Sequence, residues 1–116
     1  MANVNSVTLS GRAYSKRTNK VGENTVVNFV IRQFSYNRSN AGGEQPADFI
    51  PVEAWGKLAE HIDKKFTDGM VVSIQGRVRP KKDKNNKTYL VIKIEDFDGF
   101  TLSPREPVEK DYNVAE

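Results

Sequence analysis

Five segments of the chain alternate apolar and polar residues, and one segment with helical periodicity lies between the third and the fourth. Alternation at every second position is typical of strands that bury one side, whereas apolar residues about three to four positions apart indicate an amphipathic helix. The alternating segments are residues 6–10, 25–36, 48–55, 70–79 and 88–97. The predicted helix covers residues 57–66, carries Leu58, Ile62 and Phe66 on one side, and ends at Asp68-Gly69.

This order of elements predicts an all-β fold with one helix, the OB-fold, in which a five-stranded Greek-key barrel carries the helix between strands three and four. Gly11 interrupts the first strand and indicates a bend or bulge, and Pro51, which has no N–H to donate, is expected at a sheet edge or bulge. A turn is predicted at residues 19–24, a hairpin turn at Asn85-Asn86, and a long polar loop at residues 37–48.

The same alternation divides strand residues between a core side and an outer side. One side carries Val27, Phe29 and Ile31 of the second strand, Ile50, Val52 and Ala54 of the third, and Leu90, Ile92 and Ile94 of the fifth. Four valines fall on the opposite side, namely Val26, Val30, Val71 and Val91. Because apolar residues on an outer side indicate that something covers them, we expect these four to be covered by self-association.

Length and composition limit the class of protein. The 116 residues fit one domain, which we expect to span residues 1–102, with a short disordered tail at residues 103–116. The chain has no cysteine and one histidine, His61, which excludes disulfide scaffolds and metal sites built from Cys or His clusters. No apolar run is long enough to span a membrane, and the N-terminus lacks a secretory signal pattern, so we expect a cytoplasmic protein.

The charge is unevenly distributed. Residues 1–102 hold sixteen basic and eleven acidic side chains, a net charge of +5, whereas residues 103–116 carry −2. Between Arg77 and Lys87 six cations face a single acid, Asp83. Such a run suits a polyanionic partner, and a solvated hairpin loop is the alternative interpretation.

Large aromatic residues share the outer side with charges. They are Phe34, Tyr36, Phe49, Trp55 and Tyr89, beside Arg32, Glu53, Arg77, Arg79 and Lys93. Exposed rings among charges indicate that something covers them. Nucleic-acid bases stack on such rings at about 1–3 kcal/mol per base, while neighbouring cations hold the phosphates. As alternatives, Phe49 forms a small core under the long loop, Trp55 caps the barrel against the helix, and Phe34 lies in a subunit interface.

Catalysis has weak support in the sequence. Asp96 and Asp98 could hold Mg²⁺ in a nuclease, but acidic residues at a strand end before Gly99 explain them more simply. His61 has no visible base or nucleophile beside it, which favours a surface histidine, and no glycine-rich phosphate loop is present. We therefore expect a protein that is not an enzyme and uses no cofactor.

The segment Asp48-Phe-Ile-Pro-Val-Glu-Ala-Trp-Gly-Lys-Leu-Ala-Glu60 resembles the central segment of bacterial and phage single-stranded DNA-binding proteins. Three further blocks agree in order and spacing, at residues 4–11, 27–29 and 72–77. The resemblance covers about residues 1–102. It implies an OB-fold that binds single-stranded DNA with little sequence preference during replication, recombination or repair. It also implies a homotetramer, with a dimer as the alternative, and replication and recombination proteins as partners.

By position, the resemblance implies stacking aromatics at Phe49 and Trp55, a third near Phe34 or Tyr36, and a lysine at Lys57. It places the basic run of the family on Arg77, Arg79, Lys81 and Lys82. The complete set of candidate binding residues adds Arg32, Arg38, Tyr89 and Lys93.

The chain departs from the family pattern at two places. Lys82-Asp83 stands where many members have an aromatic, and the last residues, Asp111-Tyr-Asn-Val-Ala-Glu116, differ from the acidic tip with a final aromatic that cellular members carry. The short tail favours a phage or plasmid member. The missing hairpin aromatic and the outer valines also fit an alternative function, an oligomeric interaction module of a replisome or primosome that binds nucleic acid weakly.

Overall fold

A computed structural model describes residues 4–34 and 47–102. The strands are β1 (Val7–Val21), β2 (Asn24–Phe34), β3 (Ala47–Trp55), β4 (Val71–Lys82), β5 (Thr88–Lys93) and β6 (Phe100–Leu102). One helix, α1 (Gly56–Lys65), follows β3, and a short 3₁₀ turn covers Phe97–Gly99. Two of the predicted site residues, Tyr36 and Arg38, most of the predicted loop and the predicted tail at 103–116 lie outside the described residues.

Five of the strands close into a ring. They follow the order β1-β2-β3-β5-β4, and β4 pairs again with β1. All of these pairings are antiparallel except β3 with β5, which is parallel and joins only Val52 to Ile92 and Glu53 to Lys93. Because the only α-helix in the described residues lies between β3 and β4, the predicted OB-fold is confirmed.

The length of β1 makes the closure possible. Its first half, Val7–Arg12, pairs with β4, and from Ala13 onward it pairs with β2. Gly11 lies just before this change of partner, and a Cβ there would be 2.5 Å from the carbonyl oxygen of Arg32. The absence of a side chain therefore lets β1 and β2 approach closely where the strand changes partner.

Pro51 lies at the unpaired edge of β3, as its missing N–H predicts. The carbonyl of Glu53 accepts from Ile94 N, so the backbone groups of Glu53 point toward β5. Pro51 lies two residues before Glu53, so its nitrogen points to the same edge of β3 as the backbone groups of Glu53. The pairing with β5 begins only at Val52, so this edge has no strand partner at Pro51 among the described residues. The proline therefore removes a donor only from the side that has no strand partner among the described residues.

Helix α1 closes one end of the barrel core. Its buried residues are Leu58, Ala59 and Ile62, and the Phe66 ring that follows lies edge-on to Phe29 at a centroid distance of 5.0 Å. Buried residues of all six strands complete the core, including Phe100 of β6. None of the helices in the described residues is long and apolar enough to cross a membrane.

Cross-strand pairing corrects the predicted boundaries of several elements. The turn predicted at 19–24 is confined to Gly22 and Glu23, because Asn19 and Lys20 pair with β2. β4 continues to Lys82, beyond its predicted end at residue 79. β5 ends at Lys93 instead of the predicted Phe97, which begins the 3₁₀ turn. The turn chemistry of the Asn-rich segment is overridden by the hydrogen bonds that the β1–β2 ladder offers.

Three residues lie on the side of the sheet that the sequence predicts, but their exposure differs from the expectation. Val26 and Val91, expected on an exposed outer face, are only 5% and 3% exposed. They lie directly across from Trp55 and Arg79, whose longer side chains flank them on the same face. Leu90, expected in the core, is 61% exposed. It belongs to the part of the β4–β5 hairpin beyond the β3 pairing, where the two strands extend past the barrel.

Candidate nucleic-acid interface

The outer sides of β2, β3, β5 and β4 form one continuous surface, which we call the outer sheet face. Its register is fixed by residues that lie opposite one another: Asn28 faces Glu53, Glu53 faces Lys93, and Lys93 faces Arg77. Directly opposed residues point to the same side of a sheet. The face therefore carries Arg32 and Phe34 of β2, Phe49, Glu53 and Trp55 of β3, Tyr89 and Lys93 of β5, and Arg77, Arg79 and Lys81 of β4.

Three aromatic rings on this face are accessible. Phe34, Phe49 and Tyr89 are 42%, 37% and 44% exposed. Rings left open to solvent among cations are suited to stacking with flat partners.

A shallow cavity of about 320 Å³ opens on the same face. Its lining includes Asn28, Val30, Tyr89 and Val91 of the sheet together with Arg17 of β1. Val91 forms part of this lining. The cavity thus brings an apolar wall, an exposed ring and a cation together on the face.

Arg32 lies between two rings. Its guanidinium carbon is 4.6 Å from the centroid of Phe34 and 5.3 Å from that of Tyr14, a buried residue of β1. Both distances are within the range of cation–π contacts. The contact holds a charge beside the exposed Phe34 ring, the combination that a nucleotide with its phosphate requires.

Trp55, Lys81 and Glu53 form the most closely connected cluster on the face. The indole Nε1–H of Trp55 donates to Glu53 Oε2 at 2.9 Å, and the ammonium of Lys81 is 2.7 Å from Glu53 Oε1. The same ammonium lies 5.4 Å from the centroid of the Trp55 ring. The sequence predicted Trp55 and Lys81 as binding residues but treated Glu53 only as a neighbouring charge. Trp55 is half-buried.

The remaining predicted cations do not form one group. Arg77 is paired with Glu95 at 3.5 Å, and Arg79 is exposed. Lys82 is adjacent to Lys81 in β4 and therefore points to the opposite side of the hairpin, and Lys57 is exposed in the first turn of α1. The basic run of the sequence is thus divided between two sides of the β4–β5 hairpin.

The acidic residues considered for catalysis line a second cavity together with Arg77. Asp96 and Asp98 are exposed near the end of the barrel, and the described residues contain no group of three or more His, Cys, Asp or Glu that could hold a metal ion. His61 is half-buried, with its ring edge-on to Phe97 at 5.3 Å.

A closed barrel with exposed rings and cations on one sheet face defines an OB-fold domain of the nucleic-acid-binding kind. Residues 4–98 match the single-strand binding protein family. The chain belongs to that family, and the resemblance seen in its sequence is confirmed.

Individual relatives agree with this assignment. Single-stranded DNA-binding protein 1 of Clostridium acetobutylicum is 33% identical over 110 residues, in an alignment that covers 90% of this chain and the full length of that protein. The protein of the same name from Streptococcus pyogenes is 43% identical over 56 residues, 47% of this chain and 43% of the relative. A Synechocystis single-stranded DNA-binding protein is 35% identical over 78 residues, 66% of this chain and 62% of its own length.

Proposed function

We propose that this chain binds single-stranded DNA on its outer sheet face, with little sequence preference and without catalysing a reaction. Family membership supports the ligand class. The observation that supports the location is the alternation of exposed rings and cations across four hydrogen-bonded strands, because a single strand offers bases and phosphates in the same alternation. The candidate residues on this face are Arg32, Phe34, Phe49, Trp55, Arg77, Arg79, Lys81, Tyr89 and Lys93. Tyr36, Arg38, Lys57 and Lys82 remain candidates on the strength of the sequence alone.

In this mechanism the rings supply affinity and the cations supply attraction to the backbone. Phe34, Phe49 and Tyr89 each stack on a base, at about 1–3 kcal/mol per base. Arg79 and Lys93 contact phosphates and release counterions, so the binding constant decreases with salt at a slope of about −0.7 per neutralised phosphate. Stacking uses the π-face that every base has, and this accounts for the absence of sequence preference.

The general role of the family is to hold and protect single strands during replication, recombination and repair. We extend this role to the chain in the cytoplasm of a bacterial cell, encoded by the host or by a phage. We further propose a homo-oligomer, a tetramer with a dimer as the alternative, that acts beside replication and recombination proteins. Val71 is partly exposed and supports a subunit contact, whereas the burial of Val26 and Val91 removes half of the original argument for one.

The second candidate function is an interaction module that binds nucleic acid weakly. Asp83 at the tip of the β4–β5 hairpin favours it, because an acid replaces a stacking ring there. The two functions differ in what Phe49 and Trp55 do. In the first they hold DNA, and in the second they hold another subunit.

A titration of Trp55 fluorescence tests the proposal, since Trp55 is the only tryptophan of the chain. A thymidine oligomer is added at two salt concentrations, with a duplex of equal length as the control. We expect quenching by the single strand alone, and weaker binding at the higher salt concentration. No binding of the oligomer by fluorescence or by gel shift at low salt would refute the proposal. Loss of assembly with intact DNA binding in a Phe49→Ala and Trp55→Ala double variant would favour the interaction module.

A further inference from the structure

We propose that Glu53 is a positioning residue of the outer sheet face. Its carboxylate holds the Trp55 ring in place and keeps the Lys81 ammonium from contacting DNA phosphates. The inference rests on the proposed function and deepens it. It assigns different roles to cations that the sequence cannot distinguish. Lys81 forms part of the stacking platform, whereas Arg79 and Lys93 contact the DNA backbone.

The burial of Glu53 is the first observation that requires an explanation. Its side chain lies at the centre of a face that attracts a polyanion, yet only 3% of the residue is exposed. A carboxylate at such a position repels phosphates and is costly to bury unless it is paired. Because the interface would bind DNA more strongly without this charge, we infer that Glu53 contributes through the groups that it holds.

The two oxygens of Glu53 hold two different side chains. Oε2 accepts the indole N–H of Trp55 at 2.9 Å, and Oε1 lies 2.7 Å from the ammonium of Lys81. The indole can make this hydrogen bond only within a narrow range of ring rotations. The ring is therefore ordered before DNA arrives, which reduces the entropy lost on binding.

The pairing of Lys81 changes what this lysine can contribute. Its ammonium is bonded to Glu53 and lies 5.4 Å from the Trp55 ring, and its side chain is only 35% exposed. A charge that is neutralised inside the protein does not displace a counterion from DNA. Lys81 should therefore add nothing to the salt dependence of binding, although it is one of the cations on the face.

Glu53→Gln separates the two roles of the carboxylate. The amide oxygen still accepts the indole N–H, but the lysine is no longer neutralised. We expect a salt slope for thymidine-oligomer binding that is steeper by about 0.7, the value of one additional phosphate contact on a single strand. The quenching of Trp55 should stay at the wild-type level. Glu23→Gln is the matched control, because it removes the same charge from an exposed turn between β1 and β2.

Two further variants identify the source of each effect. In Glu53→Gln with Lys81→Met, the additional slope should disappear. Glu53→Leu provides no acceptor for the indole N–H. In this variant the Trp55 emission of the free protein should shift, and its quenching by the oligomer should decrease. Glu53→Gln, which keeps an acceptor, should show the wild-type emission and the wild-type quenching. Urea unfolding of each variant verifies that it is folded.

The outcomes separate the inference from the proposed function. A Glu53→Gln variant with the wild-type slope, or a double variant that keeps the steeper slope, would overturn the role given to Lys81. Unchanged emission and quenching in Glu53→Leu would overturn the positioning of Trp55. In all of these cases the wild-type chain still binds the oligomer and the proposed function stands. Only a wild-type chain that does not bind removes both.

Discussion

The ammonium of Lys16 lies 2.7 Å from the carbonyl oxygen of Phe66, so a side chain of β1 caps the C-terminal end of helix α1. Lys16 also donates to the carbonyl of Asp63 at 2.9 Å, and its ammonium is 5.1 Å from the centroid of the Phe66 ring. The last carbonyls of a helix have no partners within the helix, and a cation there also interacts favourably with the helix dipole. The bulge in β1, where Ser15 has a φ of 61°, brings this lysine to the helix.

Replacing Lys16 by Met should destabilise the fold by about 1–2 kcal/mol, because helix carbonyls lose a charged donor. Urea unfolding measures the difference. Lys20→Met is the control, since Lys20 is exposed in the same strand and its replacement should change stability by less than about 0.5 kcal/mol. Equal midpoints for the two variants would show that the cap contributes nothing.

Acid unfolding should report on Asp63. Its pKa lies below the usual value of 3.8, chiefly because the Thr18 hydroxyl donates to the carboxylate, with a further contribution from Lys16 that acts against partial burial. A carboxyl group whose pKa is lower in the folded state stabilises the fold above its unfolded pKa, and this stabilisation is lost as the pH falls through the folded pKa. The stability difference between the wild type and Asp63→Asn should therefore be constant near neutral pH and shrink below about pH 4.

The measurement is a series of urea midpoints between neutral and acidic pH. Thr18→Val removes the hydroxyl that chiefly lowers the pKa of Asp63, so the folded pKa should move toward its usual value. The stability difference between the chain with Asp63 and its Asp63→Asn variant should therefore be smaller when both are measured in the Thr18→Val background. A constant gap between the wild type and Asp63→Asn at all pH values would contradict the assignment.

Gly76→Ala should destabilise the barrel by at least about 2 kcal/mol, because strain from overpacking falls here on backbone atoms. A Cβ at Gly76 would overlap the carbonyl oxygen of Lys93 in the neighbouring strand, and neither atom belongs to a flexible side chain. Thermal unfolding of this variant, compared with Ser73→Ala at an exposed position of the same strand, tests the close approach. Similar melting temperatures for both would mean that β4 and β5 separate at no cost.

Asp83 should act as the organiser of the β4–β5 hairpin tip. Its Oδ1 accepts from the backbone N–H groups of Asn85 and Lys87, both at 2.9 Å, and Asn86 adopts a positive φ of 64°. In Asp83→Ala, the amide hydrogens of Asn85 and Lys87 should exchange faster, with a loss of about 0.5–1.5 kcal/mol in stability. Asp98→Ala is a control that removes the same charge elsewhere. Unchanged exchange at both amides would contradict this role.

Phe49→Ala should weaken binding of a thymidine oligomer by about 1–3 kcal/mol, because one stacked base loses its ring. The salt slope should stay the same, since no charge is removed. Phe97→Ala provides the comparison, because Phe97 is 53% exposed but lies in the 3₁₀ turn outside the outer sheet face. Equal affinities for the two variants would remove Phe49 from the set of stacking residues.

The sequence predicted the fold well wherever alternation and core burial coincide. The order of five alternating segments and the helical stripe of Leu58 and Ile62 predicted the barrel. Alternation failed for Leu90, because it shows which residues share a side but not where a hairpin leaves the barrel. It also missed the second half of β1, whose polar residues are held in the strand by pairing with β2 and not by a buried side.

The sequence predicted which types of residue form the candidate site, but not the contacts between them. Rings and cations on one side of a strand are visible in the sequence, and Trp55 was found in this way, whereas Lys81 was found through the basic run and the family resemblance. The carboxylate of Glu53 that joins them was not, because pairing between β3 and the β4–β5 hairpin depends on a register that no local pattern specifies. Lys81 and Lys82 likewise look equivalent in the sequence, although the strand points them to opposite sides.

Pro51 has a consequence for the behaviour of the protein in a crowded solution. The first half of β3 presents its edge without a strand partner among the described residues, and an open strand edge is a template on which a second chain can add a strand. The proline removes a hydrogen-bond donor from the middle of that edge. A neighbouring polypeptide cannot complete a ladder there, so this proline protects the protein from edge-to-edge aggregation.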